Sequence, residues 1–168
     1  MKITITEGAK KYYYSKNKIA ELFDLAANYF KISSDYEFSI HFCAPGRIKS
    51  LNERFRTKSS ATDVLSFPVN APDEIIKSSV KRKNGPPITL GDIVICPDYI
   101  IKNNVKKYET GLAFETAYLL VHGFMHLIGY EHDDDAYDDS KMRADADKFF
   151  KNKLKSFNFS AIIKLKRE

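Results

Sequence analysis

The residues best suited to chemistry lie in the window 122–132, which holds three of the four histidines of the chain. His122 and His126 are four residues apart, so in a helix they lie on one face, one turn from each other. Gly129 allows a backbone that ends a helix and turns the chain back, so that His132 can approach the same point. Three neutral imidazoles with an open fourth position are typical of a catalytic zinc site. The window therefore predicts one Zn²⁺ ion bound by His122, His126 and His132.

The residue after the first histidine separates two classes of enzyme. The spacing His-x3-His-x2-Gly-x2-His is that of the metzincin metallopeptidases, in which a glutamate directly after the first histidine takes a proton from zinc-bound water. Here that position is Gly123, which cannot accept a proton. The sequence therefore keeps the metal scaffold without the peptidase base, and a metallopeptidase-like hydrolase is the alternative interpretation.

Four blocks of sequence, in order along the chain, resemble one bacterial family. The window resembles the His-Gly-x-Leu-His-Leu-x-Gly-Tyr-Asp-His signature of the YbeY family of rRNA maturation factors, which are zinc-dependent endoribonucleases. The resemblance extends upstream to residues 51–58, 62–68 and 90–95. Met125 and Glu131 depart mildly from the signature, and the Pro and Asp that the family often has before its third strand are replaced at residues 58–63.

The resemblance implies a single-strand-specific endoribonuclease. It implies 3′ end maturation of 16S rRNA and ribosome quality control as the biological task. Single-stranded RNA, the small ribosomal subunit and its assembly factors would be the partners, with no role for a membrane. The nucleophile, either a zinc-bound water or the neighbouring ribose 2′-hydroxyl, stays open. A non-enzymatic assembly factor stabilised by zinc is a further alternative.

The same resemblance assigns roles to individual residues. It maps Arg56 to an active-site arginine that faces the metal, where a guanidinium can bind a phosphate bidentately and stabilise the transition state. His122 is assigned to catalysis as well as to the metal. Glu115 precedes His122 by seven residues and shares its helix face. Three roles stay open for it: accepting a hydrogen bond from a metal-binding histidine, transferring a proton, or serving merely as a first-turn acid favoured by the helix dipole. His41 shares a strand face with polar residues, and we expect it not to bind the metal.

The composition limits the class of protein but does not identify a partner. The 168 residues suit one domain, and the net charge of +5 suits a partner that carries phosphates. The longest apolar run, at residues 117–121, is far too short to span a membrane, and residues 1–6 do not resemble a signal peptide, so we expect a cytoplasmic protein. Cys43 and Cys96 each end a predicted strand, and we expect both to be reduced and half-buried.

Hydrophobic periodicity predicts the elements that position these residues. Predicted strands cover residues 2–7, 36–43, 64–69 and 88–96. Predicted helices cover residues 16–30, 48–55, 97 to about 108, 110 to about 128, and 136–154. An exposed loop with a basic stretch at 77–83 is expected at 71–87, and Asp133–Asp135 are expected to cap the last helix. The order predicts a single mixed α/β domain over 1–168, in which a roughly four-stranded mixed sheet packs with helices around a central helix bearing the histidines. Residues 155–168 are basic and have no clear assignment.

Overall fold

A four-stranded mixed sheet forms the framework of the protein. The computed structural model describes residues 1–32, 35–69, 87–105, 111–132 and 140–166. The strands β1 (Lys2–Glu7), β3 (Tyr36–Phe42) and β5 (Ile88–Ile95) are parallel, and β4 (Val64–Pro68) is antiparallel at the edge beside β5. The predicted fold class, a mixed α/β domain with four strands in its sheet, is confirmed.

The two faces of the sheet are covered differently. In β3, Phe38, Ile40 and Phe42 are buried on one face, because successive side chains point to opposite faces of a strand. The helices α1 (Lys16–Phe30) and α4 (Leu112–Leu127) contribute to the same core cluster on that face. A smaller cluster on the other face joins α2 (Pro45–Arg56) to β4 and β5. Among the described residues, α2 is the helix that packs on the second face, and it covers only part of it.

The helix α4 is central, as the sequence predicts. Its buried residues occur all around its circumference, and it contacts β4, β5, α1 and α5 (Lys141–Lys153). The helix α5 begins at Lys141, later than the predicted start near residue 136, because the hydroxyl of Ser140 accepts a hydrogen bond from the backbone N–H of Arg143 and caps it there. The predicted caps at Asp133–Asp135 lie outside the described residues, as do residues 71–86 of the predicted loop, including its basic stretch at 77–83.

The start of α2 corrects the sequence interpretation. The sequence predicts a helix that starts at residue 48, but α2 begins at Pro45 with Ala44 as its N-cap. Proline is well suited to the first helical position, since its missing N–H would have no partner there. The helix ends at Arg56, and Thr57 takes the left-handed conformation with φ 56°.

Two short strands were missed by the sequence analysis. The strand β2 (Tyr12–Tyr14) pairs with β6 (Ile163–Leu165) in an antiparallel two-stranded sheet, so the tail that had no assignment is ordered through residue 166. Strands of three residues are too short to show an alternating pattern. After β5 the chain forms α3, with an α-helical turn Pro97–Tyr99 and a π-helical segment Ile100–Val105. Within the described residues, no helix has both the length and the apolar character needed to cross a membrane.

Candidate metal centre

Two of the three histidines are positioned by α4 alone. His122 and His126 project from successive turns, and their Nε2 atoms lie 3.2 Å apart. One ring nitrogen from each of His122, His126 and His132 lies within 4.8 Å of those of the other two. The structure thus brings together the three residues that the spacing selected, in positions from which they can bind one metal ion.

The third histidine is brought to the site by the turn that ends α4. Gly129 has φ 97°, and its N–H donates to the carbonyl of His126 at 3.0 Å. The N–H of Tyr130 donates to the carbonyl of Met125 at 2.9 Å. These two bonds form a Schellman motif, in which glycine tolerates the left-handed backbone at low cost. The reversal places the His132 ring 5.2 Å from that of His122 and 5.0 Å from that of His126, between centroids.

The same turn fixes the tautomer of His126. Its Nδ1 lies 2.9 Å from the carbonyl oxygen of Tyr130. Because a carbonyl only accepts hydrogen bonds, Nδ1 must carry the proton, and the lone pair of the neutral ring is then on Nε2, which faces the other histidines. Hydrogen bonding of the second ring nitrogen is how proteins orient imidazole ligands toward a metal.

The surroundings of His122 and His126 favour their neutral forms. Burial, the largest cause, together with the neighbouring His126, His132 and Arg56 lowers the pKa of His122 to about 3. Burial also lowers the pKa of His126, in spite of the hydrogen bond to the carbonyl of Tyr130. Neutral imidazoles are the form that binds a metal ion.

The spacing of the Nε2 atoms of His122 and His126 fits a metal ion of the first transition row. With metal–nitrogen bonds of about 2.0–2.1 Å, two ligand nitrogens of a tetrahedral site are about 3.3 Å apart. The observed 3.2 Å between the Nε2 atoms of His122 and His126 agrees with that geometry. Three imidazoles suit zinc, copper, iron or nickel and leave further coordination positions for water or substrate.

Arg56 and two of the histidines line one polar cleft. The cleft has a volume of about 360 Å³, and the last turn of α2 contributes Arg56 to the wall facing His122 and His126. Lys58 lines the same cleft, so its wall carries two cations beside the histidines. The structure therefore brings Arg56 to the histidines from a block some sixty residues earlier in the chain.

Asn52 holds the loop after Arg56, and the sequence analysis missed it. This side chain is 3% exposed, and its Nδ2 donates to the carbonyl of Ser60 at 2.8 Å. The backbone carbonyl of Asn52 accepts the N–H of Thr57, the residue that caps α2. The loop is thus fixed at both ends without the Pro and Asp of the family pattern. The available signal was an asparagine one turn before Arg56 within a block that resembles the family.

Gly123 faces the sheet and not the cleft. A Cβ atom at this position would lie 3.0 Å from Cγ2 of Ile93 and 3.0 Å from Oγ of Ser66. A side chain fits there only if the side chains of Ile93 and Ser66 move by a few tenths of an ångström. Packing therefore favours glycine at the position where a metzincin has its base. Glu115 is buried in the first turn of α4 and is not among the described residues that line the cleft. Ser66 does line the cleft, although the sequence did not single it out.

Fold and site together define a mixed α/β protein with a three-histidine metal-binding cluster and an arginine in one cleft. The sequence profile described as Endoribonuclease YbeY matches residues 4–153. The chain belongs to the YbeY endoribonuclease family, and membership supports an endoribonuclease role.

Similar proteins cover most of the chain. The Endoribonuclease YbeY of Mycoplasma capricolum is 36% identical over 152 residues, which span 90% of this chain and 84% of that protein. The Endoribonuclease YbeY of Oceanobacillus iheyensis is 37% identical over 114 residues, or 68% of this chain and 72% of that protein. The solution structure of TM1509 from Thermotoga maritima is 26% identical with a TM-score of 0.53, and the match covers 88% of this chain and 85% of that one.

Proposed function

We propose that this protein is a zinc-dependent, single-strand-specific endoribonuclease that acts in 3′ end maturation of 16S rRNA and in ribosome quality control. The observation that carries the proposal is the cleft in which Arg56 faces the histidine cluster. The small ribosomal subunit and its assembly factors are the proposed partners, the cytoplasm is the proposed location, and residues 1–168 act as one domain.

Arg56 has a direct role in this proposal. Its guanidinium binds a nonbridging oxygen of the scissile phosphate and stabilises the negative charge that develops in the transition state. Lys58 adds positive charge to the same wall and attracts the RNA backbone.

His122, His126 and His132 hold the ion in this proposal, and His122 also borders the reacting phosphate. A bound zinc ion supplies a Lewis acid and lowers the pKa of a coordinated water. Glu115 remains an additional candidate for orienting a histidine or passing a proton along α4. A single strand is the proposed substrate, since in-line attack needs a backbone that an A-form duplex does not allow to bend freely.

The experiment uses a 5′-labelled single-stranded RNA and four protein samples. We expect the purified protein to cleave the RNA, and the metal-stripped protein and His126→Ala to lose cleavage. We expect Arg56→Ala to lower kcat by on the order of 10²-fold while the bound zinc, measured by mass spectrometry, stays the same. Added zinc should restore RNA cleavage only in the metal-stripped sample.

The matched control is Lys49→Ala, which removes a positive charge from an exposed position of the same helix that lines neither cavity. We expect its rate to stay close to that of the unchanged protein. Equal cleavage by all samples would mean that a contaminant is responsible and would leave the endoribonuclease proposal without support. Zinc-dependent digestion of casein would favour the metallopeptidase alternative, and normal ribosome maturation with Arg56→Ala would favour the assembly factor.

A further inference from the structure

A second cavity, larger than the metal cleft, lies on the opposite face of the sheet. Its volume is about 620 Å³, compared with about 360 Å³ for the metal cleft. It lies where α2 covers only part of the sheet, between this helix and the outward side chains of β1, β3 and β5. Large cavities with apolar walls and a few converging polar groups are typical ligand sites.

The two cavities share one wall. Asn52 and Arg56 of α2 line the metal cleft, whereas Leu51 and Phe55, one position earlier in each turn, line the second cavity. The edge strand β4 repeats this arrangement with Ser66 on one face and its neighbour Phe67 on the other. A strand of RNA bound by Arg56 therefore has only the end of α2 to cross before it reaches the second cavity.

The apolar wall of this cavity suits the flat face of a base. Phe55 is 56% exposed although it is a large apolar residue, and its ring packs edge-to-face on Phe67 with centroids 5.1 Å apart. An exposed aromatic ring next to a basic cleft is the usual platform on which single-stranded nucleic acids stack. Val94 closes the apolar wall from β5.

The polar groups of the cavity suit the edge of a base and a phosphate. Nε2 of His41 donates to Oδ1 of Asp92 at 3.2 Å, and the two side chains are 38% and 47% exposed. The histidine thus orients the carboxylate, which keeps acceptor capacity for a ligand. Arg47 lines the same cavity and offers a guanidinium to a phosphate.

We propose that this second cavity binds one guanine nucleotide of the RNA and so contributes to the choice of cleavage position. Among the RNA bases, guanine presents two adjacent donors, N1–H and the 2-amino group, which match the two oxygens of a single carboxylate. Asp92 reads these donors, Phe55 stacks on the ring, and Arg47 binds the phosphate. The inference rests on the proposed function, because it assumes that RNA occupies the metal cleft.

Binding of mononucleotides tests the inference without any cleavage. The zinc-loaded, ¹⁵N-labelled full-length protein is titrated with guanosine 5′-monophosphate and, separately, with uridine 5′-monophosphate. We expect the guanine nucleotide to shift the amide signals of Leu51, Phe55 and Phe67. Asp92→Asn, which preserves the shape of the side chain, should weaken guanine binding by on the order of tenfold and leave uridine binding unchanged.

Three further variants separate this cavity from other surfaces. Phe55→Ala should weaken the binding of both nucleotides by about tenfold, since it removes the stacking surface. Tyr13→Ala removes an aromatic ring that is 64% exposed elsewhere, and His126→Ala disrupts the metal centre; neither should change binding at the second cavity. Thermal unfolding checks that each variant is folded.

Two results would overturn the inference. The first is guanine-nucleotide shifts confined to the metal cleft, and the second is equal affinity of Asp92→Asn and the unchanged protein for the guanine nucleotide. Because binding is read without cleavage, a failed cleavage assay with intact guanine binding would count against the proposed function alone. Intact cleavage with no guanine binding would count against this inference alone.

Discussion

Replacing Gly123 with alanine tests the claim that packing determines this position. The residue is buried in α4, and the added Cβ would lie 3.0 Å from Cγ2 of Ile93, 3.0 Å from Oγ of Ser66 and 3.3 Å from Cδ1 of Ile93. Ile93 lies on β5, which has a hydrogen-bonded strand on each side, so its backbone is held in place. The side chains of Ile93 and Ser66 must therefore move by a few tenths of an ångström, or the helix must shift away from the sheet.

Two opposing effects set the size of the stability change caused by Gly123→Ala. In an exposed helix interior, glycine to alanine stabilises by about 1 kcal/mol. Overpacking in a close-packed core costs about 1–3 kcal/mol, and here two strands resist the added atom. We expect a net loss of about 1–2 kcal/mol, which lowers the melting temperature by about 3–6 °C in a protein of this size. Because His122 is the preceding residue, the shift of α4 should also weaken zinc binding.

Urea unfolding of the metal-free protein measures the change in the free energy of unfolding. The matched control is Gly46→Ala in α2, where an added Cβ meets nothing within 4 Å, and we expect it to be neutral or stabilising. Ser66→Ala removes the oxygen at 3.0 Å, so the double variant with Gly123→Ala should recover about 0.5–1 kcal/mol relative to additivity. A Gly123→Ala protein as stable as the unchanged one, with zinc affinity intact, would refute the packing argument.

Three other experiments test separate parts of the structure. Tyr12→Phe removes a 2.6 Å hydrogen bond to Oδ1 of Asp98, so urea unfolding at pH 7 should show a loss of about 1–2 kcal/mol. Burial alone would raise the pKa of Asp98, but the hydrogen bonds from Tyr12 and Lys11 lower it, so this stabilisation is present above the unfolded-state pKa of the carboxyl. The difference in the free energy of unfolding between the unchanged protein and Tyr12→Phe should therefore narrow as the pH falls below 3.8. An equal difference at pH 3 and pH 7 would contradict this. Burial raises the pKa of Cys43 to about 12, so Ellman's reagent at pH 8 should react with this thiol only after denaturation, and fast native labelling would disprove it. Gly129→Ala places a side chain at φ 97°, which should lower the free energy of unfolding by more than about 1 kcal/mol. It should also weaken zinc binding, measured by competition with a chelator, and an unchanged zinc affinity would show that the turn does not position His132.

The histidine geometry could be predicted because it depends on local rules. Helical periodicity places His122 and His126 on one face, and the left-handed preference of glycine at 129 reverses the chain. The main strands were predictable for the same reason, since alternation within β3 reports which side chains face the core. Each of these features is determined within about ten residues of chain.

Features that depend on contacts distant in sequence were beyond this reasoning. The pairing of β2 with β6 joins residues about 150 positions apart, and neither strand is long enough to show a pattern by itself. The contact between Gly123 and Ser66 depends on how closely α4 packs on the sheet, which no local pattern encodes. The approach of Arg56 to the histidines came only from the family resemblance, and the second cavity was not anticipated.

The charges of the metal cleft favour a phosphodiester over a peptide as the substrate. The described residues that line it include one carboxylate, Asp63, and both of its oxygens accept hydrogen bonds, Oδ1 from the N–H of Val64 at 2.8 Å and Oδ2 from Nδ2 of Asn104 at 2.8 Å. This carboxylate therefore holds the cleft wall together and is poorly placed to take a proton. Arg56 and Lys58 line the same wall, and two cations raise the affinity for an anionic backbone but offer no base to a peptidase. With position 123 closed by the sheet, the same histidine spacing that serves peptidases leaves here a cationic site suited to phosphate.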